Sequence, residues 1–172
     1  MKKTAITCAL LAALSTHVAA MPNHISLGLS QADDLSGMQF TLANFFPEQF
    51  GGLFSLNYVS DAKVAPWYDY RGNVGLYHTN FESLGMDFGG TYGLNEHLYL
   101  HGTLGYQWVD TSFRSGWDWG YDELDGARLG LGVHIKLQPG LTFGIDHKLQ
   151  LDSRTKEHFG NITTFSLGWT FH

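Results

Sequence analysis

Ala127-Arg-Leu-Gly-Leu-Gly-Val-His-Ile-Lys-Leu137 decides the reading of this chain. Its odd positions, Ala127, Leu129, Leu131, Val133, Ile135 and Leu137, are all apolar. Its even positions, Arg128, Gly130, Gly132, His134 and Lys136, are all small or polar. An unbroken period of two puts the two sets on opposite faces of a β-strand, whereas a helix would carry Arg128 and Lys136 into its apolar stripe. Both faces find a suitable environment if the apolar side chains meet lipid and the polar ones meet the inside of a barrel.

The pattern recurs on both sides of this stretch. Towards the N-terminus, Ile25, Leu27 and Leu29 alternate with Ser26, Gly28 and Ser30, and Met38, Phe40 and Leu42 alternate with Gln39, Thr41 and Ala43. Phe54, Leu56 and Tyr58 mark a third strand. Leu84, Met86, Phe88 and Tyr92 mark a fourth, with residues 73–82 read as a strand extension standing in water. Leu98, Leu100, Leu104, Tyr106 and Trp108 form the outward face of a fifth. After the opening stretch, Leu141, Phe143, Ile145, Leu149 and Leu151 give a seventh, and Phe165, Leu167, Trp169 and Phe171 an eighth. Links around Pro47, Asn95 and Pro139 read as tight turns and 32–36 as a short polar link, while 61–72, 110–125 and 153–160 read as loops. Short turns on one rim and longer loops on the other are the asymmetry of outer-membrane barrels. An even strand count lets the first strand pair with the last and removes the exposed edge. The expected fold is therefore all-β, an eight-stranded antiparallel up-and-down transmembrane barrel.

Residues 1–20 read as a cleavable signal peptide: Lys2 and Lys3, an apolar run over 4–14, and Val18-Ala19-Ala20 before Met21. That leaves 21–172 as one barrel domain of the outer membrane and removes the single cysteine, Cys8. The remaining chain has 8 basic against 16 acidic side chains. This sign disfavours nucleic acid as a partner. No apolar run of helical membrane-spanning length is present.

With these residues in hand, the chain resembles the small eight-stranded outer-membrane barrels of Gram-negative bacteria, such as the OmpA membrane domain and the OmpX/Ail group. The end Thr164-Phe-Ser-Leu-Gly-Trp-Thr-Phe171 is similar to the C-terminal signal read by the barrel-assembly machinery, through Trp169 and Phe171. Ser166 stands where glycine is usual, and His172 follows the terminal aromatic. The resemblance implies outer-membrane lipid and lipopolysaccharide as surroundings and a surface ligand or host-cell partner at the loops.

The inward set contains Asp87, His101, Arg128, His134, Lys136, Asp146 and Lys148. A barrel of eight strands is only wide enough for its side chains to fill it, so these charges are expected to form a salt-bridged plug. An ion path through them is the porin-like alternative. A lipid-modifying enzyme would need a His with a Ser or Thr and an acid at the rim; His101-x-Thr103 is the nearest pair, with no carboxylate placed beside it. A soluble barrel of lipocalin type would turn the apolar face inward. The loop segments offer Trp67, Tyr68, Trp117, Trp119 and Tyr121 as contact surface. Their acids match no calcium-loop spacing, so no metal site and no cofactor are expected. Phe46, Tyr92, Tyr99, Phe143, Trp169 and Phe171 would form the periplasmic aromatic belt, and Tyr58, Tyr106 and Trp108 the outer one. His147 is an exception, since its parity points it to lipid. The expectation for function is a structural or adhesin-like role at the surface, without catalysis.

Overall fold

A computed structural model of the chain describes residues 22–33, 35–68, 74–115, 118–138, 140–153, 155–156 and 160–171; residues 1–20, expected to be a signal peptide, lie outside them. Eight antiparallel strands run β1(His24–Ala32), β2(Leu35–Ala43), β3(Phe50–Tyr68), β4(Val74–Gly93), β5(Leu98–Ser115), β6(Asp118–Lys136), β7(Leu141–Gln150) and β8(Ile162–Thr170). Each pairs with its neighbours and β1 pairs with β8, which closes the barrel. No helix of the described residues is long and apolar enough to cross a membrane.

The register fixes the shape. Following one row of partners from His24 through Ala43, Leu53, Gly89, Thr103, Gly130, Lys148 and Ile162 returns to β1 at Ala32. The stagger is therefore eight residues. Eight strands with a stagger of eight tilt by about 36° and leave an interior that side chains fill. The nine-residue strands β1, β2 and β8 then rise about 24 Å at ~3.3 Å per residue, the height of the apolar band of an outer-membrane barrel.

Sidedness follows the period of two and is the reverse of a soluble domain. Leu27, Leu29, Met38, Leu104, Leu131 and Leu167 are exposed, Leu131 at 58%, whereas Arg128 and His134 are 0% exposed and Lys148 1%. The soluble lipocalin-type reading is excluded by that inversion. Water would not tolerate such an exterior; hydrocarbon does.

Three boundaries differ from the sequence reading. Segment 61–72 does not open as a loop at 61, because β3 continues to Tyr68 paired with Val74. Beyond Ser60 its other edge has no strand partner among the described residues, since β2 pairs only as far as Ser36↔Ser60. Pro66 is tolerated on such an edge. Segment 110–125 is likewise a hairpin, with β5 reaching Ser115 and β6 starting at Asp118. Its acids disguised a continuing alternation in which Val109 and Leu124 point inward and are buried. Finally, β2 begins at Leu35, so only residues 33 and 34 link it to β1, with Asp33 at φ 48°. Residues 153–160, read as a polar loop, include a helical turn whose Thr155 is buried. Asp152 caps it, its Oδ1 accepting from the Thr155 amide at 3.1 Å.

Candidate functional site

Two regions carry chemistry: the inside of the barrel and the hairpins raised above it. Of the inward set, Asp87, Arg128 and Lys148 come together in the upper lumen. Arg128 donates to Asp87 from Nε at 2.6 Å and from Nη2 at 2.8 Å. Lys148 Nζ donates to Asp87 Oδ2 at 2.5 Å, and Ser55 Oγ to the same oxygen at 2.7 Å. Gln107 Oε1 accepts from Arg128 Nη1 and from Gln150 Nε2, each at 2.7 Å, and Gln107 Nε2 donates to Ser83. Gly85 makes room for this layer, because a Cβ there would run into the Arg128 guanidinium.

A second group lies nearer the periplasmic end. His101 bonds Asp146 Oδ1 through Nε2, and Gln39 Nε2 donates to Asp146 Oδ2 at 3.0 Å. His134 stands beside them, its ring 5.0 Å from that of His101 and 5.3 Å from that of His24. Lys136 is apart from the fully buried set: it is half-buried at the last position of β6, where the mouth opens. His24, Gln39, Ser55, Gln107 and Gln150 belong to the lumen too. Their inward parity was legible in the sequence, but uncharged residues drew no attention.

Both ends of the lumen are closed by apolar side chains. Ala32, Leu35, Val59, Val109, Leu124 and Ile162 form a buried cluster at the outer end, with Phe81 against it. At the periplasmic end Phe45 stacks on His24 at 4.2 Å and on Tyr99 at 4.6 Å. Tyr99 is therefore not part of the aromatic belt, since it is 2% exposed and faces the lumen. Its register partner His134 is inward, which fixes Tyr99 on the same face. The belt position near this rim is instead taken by Phe50, exposed and packed on Tyr92 at 4.8 Å. Trp169 and Phe171 are half-exposed on the outside, and Trp169 lies over Gly140, whose φ of 91° and lack of a Cβ allow the approach.

The hairpins β3–β4 and β5–β6 join through β4–β5 pairing as far as Tyr77↔Ser115, so a four-stranded sheet continues above the membrane band. The eight residues 61–68 by which β3 runs past its pairing with β2 correspond to roughly 21 Å of further rise. Trp67 and Tyr68 end β3 and Trp119 stands near the start of β6; Trp117 lies outside the described residues. Tyr121 is exposed on the outer face. Hydrogen bonding to Asp110, with burial and Glu123 adding to it, holds its phenol above the ordinary tyrosine range. Glu82, Asp110 and Glu123 occupy one cross-strand row on that face.

His147 is exposed on the outer face, as its parity required, and its Nδ1 pairs with Thr163 Oγ1 at 3.0 Å. Among the described residues Thr163 is its only hydrogen-bond partner, so no carboxylate completes a catalytic arrangement there.

No protein-family model matches the chain. No curated protein matches it either. Solved structures do. The crystal structure of Ail, the attachment invasion locus protein of Yersinia pestis, is 15% identical over 88% of this chain and 99% of that one, with a TM-score of 0.61. Ail in complex with the heparin analogue sucrose octasulfate is 16% identical over 86% and 94%, at 0.60. The N-terminal β-barrel domain of Pseudomonas aeruginosa OprF is 15% identical over 88% and 100%, at 0.52. The chain has the fold of the small eight-stranded outer-membrane barrels.

Proposed function

We propose that this protein is an outer-membrane surface-interaction protein, adhesin-like, that holds out the paired hairpins β3–β4 and β5–β6 on a closed barrel. The observation that carries the reading is the four-stranded sheet rising past the lipid band over a lumen sealed at both ends. A sealed lumen favours display over transport, and the lack of a His–acid pair on the exterior among the described residues disfavours lipid chemistry. Segments 61–82 and 110–125 carry eight acidic against three basic side chains, with five tryptophans and tyrosines named above among them. Ail binds a heparin analogue; the acidic sheet here would repel such a polyanion, so the partner is basic, or acidic and bridged by divalent cations. The Glu82–Asp110–Glu123 row is level with Ser60 and Ser36, near the outer end of β2, and would meet lipopolysaccharide phosphates through such cations. Trp169 and Phe171 serve recognition by the assembly machinery.

The test is attachment of cells displaying the protein to a host-cell monolayer, to polylysine and to heparin. A variant with 62–80 and 111–122 each replaced by a short turn is compared, its folding checked by resistance to cold SDS. Trimming should abolish attachment to cells and polylysine, and with divalent cations chelated heparin should hold neither form. Equal attachment by the trimmed barrel would overturn the reading.

A further inference from the structure

The lower lumen holds more nitrogen than its hydrogen bonds use. His134 is 0% exposed and neither of its ring nitrogens has a partner among the described residues. His24 Nε2 and His101 Nδ1 are buried and unpartnered as well. Native interiors rarely leave buried polar atoms without a partner, so each of these calls for a water, an ion or another ligand. The other nitrogens of these two rings are engaged. His24 Nδ1 pairs with Thr170 Oγ1 at 3.1 Å, and His101 Nε2 pairs with Asp146. His24 and His134 thus keep a ring lone pair for a metal ion, while His101, which faces Asp146 through Nε2, would bind through that nitrogen with its proton on Nδ1.

The geometry converges. His101, His134 and Asp146 each bring a donor atom to within 4.8 Å of the others, all three buried. Each imidazole lies over a glycine: a Cβ at Gly132, Gly144 or Gly168 would stand 2.5, 2.5 or 2.6 Å from a ring atom of His101, His134 or His24. Gln39 holds the second carboxylate oxygen of Asp146, as outer partners of metal-binding carboxylates do.

We propose that His101, His134 and Asp146, with His24 as fourth donor, bind one divalent transition-metal ion of the zinc or copper class inside the barrel. Three imidazoles and one carboxylate suit these ions and not calcium or magnesium, which take oxygen. Zinc holds such donors at about 2 Å, so binding would draw these side chains closer together. The ion enters from the periplasmic mouth, where Phe45 over His24 is the cover. Nothing in this proposal depends on what the hairpins bind.

The experiment refolds the chelator-treated full chain from urea in detergent with CoCl2 or ZnCl2 present, so that a closed mouth does not block loading. One Co2+ per chain with the intense visible absorption of a four-coordinate site is expected, and Zn2+ should raise the urea midpoint. His134→Gln should lose both effects while still resisting cold SDS, and Gln39→Ala should weaken binding about 10–100-fold. His97→Gln with His147→Gln should leave binding unchanged. Should His134→Gln fail to fold, His24→Gln with competition by a chelator reads the same site. Absence of the cobalt spectrum, or its survival in His134→Gln or His24→Gln, overturns the proposal.

Discussion

Replacing Asp87 by asparagine puts the lumen reading under its sharpest strain. Asp87 is bonded to two cations, Arg128 and Lys148, all three with side chains no more than 2% exposed. Asparagine keeps the shape but removes the charge, and its amide turns donors toward Arg128, Lys148 or Ser55, which are donors themselves. Breaking a buried pair in this way costs on the order of 3–5 kcal/mol. Lys148→Met alone should behave differently. It leaves Arg128 and Asp87 as a neutral two-point pair, so its effect should stay below about 1 kcal/mol or even be stabilising. Adding Lys148→Met to Asp87→Asn should then recover roughly 1–3 kcal/mol, because one of the two orphaned cations is gone. Urea unfolding in detergent, followed by tryptophan fluorescence and by the gel shift between folded and boiled samples, measures all three. A loss under about 1 kcal/mol for Asp87→Asn, or equal losses for the two single changes, would refute the argument.

Leu131→Arg puts a charge on the lipid face and should cost about 2–4 kcal/mol of stability in vesicles, while Glu123→Arg, above the membrane, should change it little. Gly85→Ala should destabilise markedly because its Cβ meets the Arg128 guanidinium. Gly52→Ala, with nothing within 4 Å, should be nearly silent in the same urea titration. Planar bilayers containing the protein should show no conductance steps, and Phe45→Ala should not create them, since the Arg128–Asp87–Lys148 layer and the outer apolar cluster remain. Regular single-channel openings would contradict the sealed lumen.

The strands were legible because a period of two survives wherever one face meets lipid and the other a packed interior. Leu131 beside Arg128 and His134 is the plainest case, and its exposure of 58% follows from that alternation. Where both faces meet water the contrast fades. Strands β3 to β6 above the membrane therefore read as loops at 61–72 and 110–125, although Val109 and Leu124 kept the phase. Tyr99 was assigned to lipid because an aromatic near a rim suits the belt, yet its odd position in β5 put it with His134.

Strand number, sidedness and the charged content of the interior were thus written in the sequence, since alternation is local and needs no partner. Which inward residues meet was not, because that depends on the stagger of eight and on rings reaching across from strands far apart in the chain. Asp87 with Lys148, separated by 61 residues, and His24 with Thr170, separated by 146, become neighbours only when the first strand closes on the last. The apolar seals at the two mouths, and the histidine cluster above Phe45, belong to that closure alone.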